Sequence, residues 1–159
     1  MPKMYSDAES VGKIAASLIP QHHPELASAR MLYAFVDVGS KKNDLPVYGK
    51  VRKITGLLEY YLEADFVIEV ALDHWNELRD TQRAAVVDHL LERCTGVEDE
   101  KSGAMKWTVR EPEVQEFATI LRRQGAWHEG LNAFVSIAKQ INLDALVAEA
   151  EQEIVTNRT

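Results

Sequence analysis

The chain has a single cysteine, Cys94, which excludes an intramolecular disulfide and argues for a reducing compartment. Long apolar runs are missing too. Asp, Glu, Lys or His interrupts every candidate well short of the roughly 20 residues needed to cross a bilayer. The opening Met1-Pro-Lys-Met-Tyr-Ser-Asp7 lacks the basic-then-apolar order of a secretory signal, so a cytoplasmic location without membrane contact is expected. Basic residues are in deficit, 18 against 25 acidic, giving a formal charge of −7 and a pI of about 5.2. That sign disfavours a phosphate backbone as a direct ligand. There is no Gly-X-X-X-X-Gly-Lys phosphate loop, and no local Ser-His-Asp or Cys-His signature.

What remains is an ordinary globular composition, 46% hydrophobic and 27% charged over 159 residues, which predicts one domain spanning 1–159. Val11, Ile14, Ala15, Leu18 and Ile19 recur at helical spacing over 7–19, with Pro20 and Pro24 as stops. Residues 31–38 read as a strand closed by Gly39, 41–46 as a polar loop, and 47–55 as a second strand of period two. Residues 57–63 fit either a strand or a helical turn, and 65–71 carry the β-branched run of a central strand. A short turn over 73–78 precedes a helix over about 81–94, apolar around most of its girth and so expected to be buried. Residues 95–107 read as a solvated loop or short hairpin, Glu111-Pro112 opens a helix that Gly125 closes, and a last helix covers about 132–155. In that last helix Leu143, Leu146, Val147 and Ala150 form the apolar stripe. The class is α+β, a small three- to four-stranded sheet against a central helix with additional C-terminal helices.

Five blocks carry a specific resemblance: Tyr48-Gly-Lys-Val-Arg-Lys-Ile54, Asp65-Phe-Val-Ile-Glu-Val70, Gln82-Arg-Ala-Ala-Val-Val-Asp-His-Leu-Leu-Glu-Arg-Cys94, Glu113-Val-Gln-Glu-Phe-Ala-Thr-Ile120 and Gly125-Ala-Trp127. With Trp75 between them, and in this order over about 10–127, they resemble the putative phage metallopeptidase family of small zincin-like proteins. The resemblance implies a minimal zincin-like fold and a His-Glu-X-X-His zinc motif whose glutamate is the general base. Asp88 and His89 match that motif, but Leu90 stands at the glutamate and Arg93 at the second histidine. A histidine that the family tends to carry ahead of the 113–120 block, a plausible third ligand, is replaced by Pro112.

A catalytic zinc needs three protein ligands and a carboxylate to take the proton of its water. Leu90 accepts no proton, Arg93 carries a permanent positive charge, and Pro112 has no donor atom. The expectation is a catalytically inactive domain without a cofactor. It would act by binding a host protein or complex, for instance as an inhibitor of a bacterial defence or regulatory complex, in the cytoplasm of an infected or lysogenic cell. Arg93 is expected to fill the vacated site by pairing with an acidic neighbour or with Glu92. The alternative is an active zinc peptidase with an unconventional ligand set around His89 and Glu92, which share adjacent helical positions.

The bland readings are these: His89 as a buried, hydrogen-bonded histidine, His22 and His23 as an exposed loop pair, His74 and His128 as packing residues, and Cys94 as a small apolar side chain. Lys41, Lys42, Lys50, Arg52 and Lys53 form a candidate binding patch. Their simpler role is to guard a sheet edge.

Overall fold

The run 65–71 becomes the centre of a four-stranded sheet because alternate residues, Phe66, Ile68 and Val70, are fully buried on one face. The computed structural model describes residues 2–157. Its elements are β1 (Tyr5–Asp7), α1 (Glu9–His22), a 3-10 turn (Pro24–Leu26), β2 (Met31–Val36), β3 (Lys41–Lys42), β4 (Leu45–Pro46) and β5 (Gly49–Lys53). There follow α2 (Leu57–Leu62), β6 (Phe66–Ala71), α3 (Leu72–Asn76), α4 (Asp80–Glu92), β7 (Cys94–Glu98), β8 (Met105–Val109), α5 (Ala118–Gln124) and α6 (Glu129–Asn157). The class is α+β, and the contacts divide the chain into two compact units, Met1–Glu111 and Pro112–Thr159.

In the first unit the sheet order is β1-β2-β6-β5. β2 and β6 run parallel with Met31 opposite Phe66, and β5 lies antiparallel to β6 with Gly49 opposite Val70. The core joins the buried sheet residues to Val11 and Ala15 of α1 and to Val87, Leu90 and Leu91 of α4. Trp75 and Trp107 close it, with ring centroids 5.9 Å from Phe35 and 5.8 Å from Phe66. Burying one such aliphatic side chain contributes about 1.5–3 kcal/mol, so this layer supplies most of the driving force for folding. At the entry of β6, Asp65 accepts hydrogen bonds from the backbone N of Arg30 at 2.7 Å and from its Nη2 at 2.9 Å, tying β6 to the start of β2. Burial pushes the Asp65 carboxyl up, but the Arg30 bonds and charge outweigh it and hold the carboxyl below its usual range.

Several local expectations change. Pro20 does not end α1, which runs on to His22. So close to a helix end, the missing N–H and the crowding of the preceding turn affect few remaining bonds, and His23 N still donates to Ile19 O at 2.9 Å. Residues 41–46, read as a loop, form the miniature hairpin β3–β4, with Asn43 and Asp44 at positive φ (53° and 62°) as a primed two-residue turn requires. Residues 57–63 resolve as helix and 95–107 as the hairpin β7–β8. The helix expected from Glu111-Pro112 starts only at Ala118. α4 is not buried around its girth: only Val87, Leu90 and Leu91 are, because small Ala84 and Ala85 and the polar Asp88 and Glu92 occupy its other sides.

In the second unit Gly125 closes α5 at φ 66°, and Glu116 accepts from Phe117 N and from Trp127 Nε1. The backbone N of Leu131 donates to His128 Nδ1 at 3.1 Å at the start of α6. Leu143, Leu146 and Val147 are exposed.

Candidate binding cleft

Residues 85, 86, 89, 90 and 93 recur at spacings of three and four, so they form one stripe along α4. The stripe faces the β3–β4 hairpin and the start of β5 across a cleft of about 630 Å³. Lys42, Leu45, Pro46, Val47 and Gly49 make the opposite wall. The approach of strand and helix depends on Gly49. A Cβ there would lie 2.7 Å from Leu90 Cδ1 and 2.8 Å from the backbone oxygen of Glu69, and the latter is fixed within β6. Leu90 is 2% exposed and belongs to the core, so an isobutyl group forms the floor.

Arg93 leaves the stripe toward the chain after β8. Its Nη2 lies 2.9 Å from Glu111 Oε1 and its Nε donates to the backbone oxygen of Arg110 at 3.3 Å. The acidic partner is thus Glu111 rather than Glu92. His89 is exposed on the cleft wall and makes no hydrogen bond or ion pair with the described residues, contrary to the buried, bonded role expected for it. A histidine on an apolar-looking helix became exposed because the neighbouring turn, Leu90 and Leu91, takes the core-facing positions.

The buried histidine is His23, expected in an exposed pair with His22. It is 1% exposed, and a 2.6 Å hydrogen bond joins its Nε2 to Asp88 Oδ1. Its Nδ1 lies 3.5 Å from Glu92 Oε2, and Glu92 also pairs with Arg110. Asp88 and Glu92 sit one turn apart on the side of α4 that meets the end of α1. The i, i+4 carboxylate pair was the available sign of this tie. Glu92 therefore faces His23 and Arg110 and does not line the cleft with His89. Among the described residues no three His, Cys, Asp or Glu side chains form a group able to hold a metal ion. Cys94 is 1% exposed, and burial pushes its thiol up to about 12 against the pull of Arg93, so it offers no thiolate near neutral pH. His74 packs edge-on against Tyr48 at 6.0 Å.

The five basic residues do not form one patch. Lys42 alone among them lines the cleft. Lys50 stands opposite Glu69 in the β5–β6 register, and Arg52 Nη2 lies 3.8 Å from Glu69 Oε2 on the sheet face away from the core. Lys41 and Lys53 are exposed. Pro112 begins the second unit, directly after the Glu111 that Arg93 holds.

Comparison with curated proteins and with solved structures gives no match. The model of the family described as putative phage metallopeptidase matches residues 3–139, which include the whole cleft and both helices that frame the His23 tie. With a match over most of its length, the chain belongs to the putative phage metallopeptidase family.

Proposed function

We propose that this member of the family is catalytically silent and acts by binding a host protein or complex, as an inhibitor of a bacterial defence or regulatory assembly. One observation carries the reading: the α4 stripe that faces the cleft presents His89 followed by a core leucine and an arginine already paired with Glu111. The zinc that the family implies does not fit these residues. One imidazole is the sole good donor in the stripe, a guanidinium one turn on repels a dication, and Leu90 cannot take a proton from a metal-bound water. The carboxylates nearest His89 in sequence are engaged elsewhere, Asp88 by His23 and Glu92 by Arg110. What the stripe and hairpin retain is a shaped surface, and a surface suits binding better than turnover.

Metal analysis of protein purified without chelator tests the silent site. The expected zinc content is below about a tenth of an ion per chain and unchanged in His89→Ala. Stoichiometric zinc that is lost in His89→Ala, with zinc-dependent cleavage of a denatured protein substrate, would restore the peptidase reading. Affinity capture from a bacterial lysate tests the host-binding part: a specific host complex enriched over an empty matrix is expected, and no enrichment contradicts it.

A further inference from the structure

Resting on the reading that the cleft binds rather than cuts, we propose that its ligand is an acidic peptide segment of a partner protein, anchored by a large apolar side chain. The volume of about 630 Å³ falls within the range of roughly 300–1,000 Å³ typical of ligand sites, ample for one large side chain and its neighbours. The walls are apolar: Pro46 and Val47 on the hairpin side, Val86 and Leu90 on the helix side. Leu45 stands at the mouth with 68% of its surface in solvent, a contact waiting for an apolar partner.

The charged groups add a sign. Those that line the cleft are Lys42 and Arg93, with the His89 imidazole beside them, and no acidic side chain lines it, although the whole chain carries −7. Glu111 offsets Arg93, while Lys42 and His89 make no ion pair or hydrogen bond with the described residues. A low-dielectric cleft with the Lys42 ammonium free at its rim, the Arg93 guanidinium and the His89 imidazole on its wall and no carboxylate in its lining attracts carboxylates and steers their approach. β8 lies close beside β5, the last strand of its sheet, so the ligand would be held by the cleft walls rather than by strand addition. A peptide supplies both groups these walls and this rim would hold, a large apolar side chain and neighbouring carboxylates. A nucleic acid fits less well, because the wall is apolar, Lys50 and Arg52 do not line the cleft, and the net charge repels phosphate.

The test is selection of a displayed random heptapeptide library on the immobilised full chain. The enriched peptide is then titrated by fluorescence anisotropy beside its Asn/Gln counterpart and a single-stranded thymidine oligonucleotide. The enriched sequences are expected to place Asp or Glu beside Leu, Ile, Phe or Trp. Binding should weaken by about tenfold or more for the neutral peptide and for Lys42→Glu, the scale of one lost charge contact. Ala85→Trp, at an exposed position on the cleft wall, should abolish it while far-ultraviolet circular dichroism stays unchanged. No enrichment, a neutral or basic consensus, full binding in Ala85→Trp with Lys42→Glu also unaffected, or tighter binding of the oligonucleotide would each overturn the proposal. The zinc and cleavage measurements do not depend on these titrations, so loss of the ligand class is distinguishable from loss of the silent-site reading.

Discussion

Placing an acidic residue at position 90 is the sharpest perturbation, because Leu90 serves the core. The side chain is 2% exposed and packs on Gly49 at the floor of the cleft. Leu90→Glu forfeits about 1.5–3 kcal/mol of burial and adds the cost of seating a carboxylate beside Val87 and Leu91. Partial relief by rotation toward the open cleft and Arg93 brings the total to about 3–5 kcal/mol. That is a large share of the 5–15 kcal/mol that holds a typical domain together. Urea unfolding followed by fluorescence reads the first unit directly, since Trp75 and Trp107 are 3% and 7% exposed within it. With a slope of about 1–3 kcal/mol per molar urea, the midpoint should fall by roughly 2 M at pH 7. Leu90→Met, which conserves volume, should cost less than about 1.5 kcal/mol. The new carboxyl is desolvated, so its folded-state value lies above its unfolded one. Its penalty is therefore present at neutral pH and eases as the pH is lowered toward 5. A midpoint within about 0.3 M of the parent at pH 7 would refute the claim that the cleft floor is a core leucine.

Two further outcomes follow from the same packing. The Asp65 carboxyl lies below its usual range, so the Arg30 contact stabilises the fold above the ordinary aspartate range and is lost as pH falls through the folded-state value. Asp65→Asn should lower stability near pH 7 by on the order of 1 kcal/mol, given the half-exposed guanidinium, and the two proteins should converge as the pH falls through the folded-state value of Asp65. Equal stability at pH 7 would count against the tie. Cys94, with its thiol pushed up to about 12, should resist a thiol-specific disulfide reagent at pH 8 and react freely only after unfolding. Rapid labelling of the native chain would show that the end of α4 opens.

The α+β class, the central strand 65–71 and the family over most of the chain were legible in the sequence, because side-chain period and residue chemistry are local properties. Local patterns misled where two solutions compete. Pro20 looked like a stop, yet a proline near a helix terminus breaks too few bonds to end it. The helix over about 81–94 looked apolar around most of its girth, but within α4 only Val87, Leu90 and Leu91 are buried once the sheet chooses a face. Asn43-Asp44 was a hairpin turn in plain view, missed for want of flanking strands long enough to announce it.

The exchange of roles between histidines was not legible at all. Which imidazole is buried depends on the end of α1 meeting Asp88 and Glu92, 65 residues on from His23 in the case of Asp88, and no local period encodes that encounter. The same holds for Arg93, whose partner Glu111 arrives only through the β7–β8 hairpin. Sequence alone determined which atoms are available for chemistry along α4, one imidazole at His89 followed by a leucine and, one turn on, an arginine. Tertiary structure alone decided which of those atoms face solvent, which face one another, and that a cleft with basic groups at its rim lies between them, because burial and pairing are properties of contacts between distant segments.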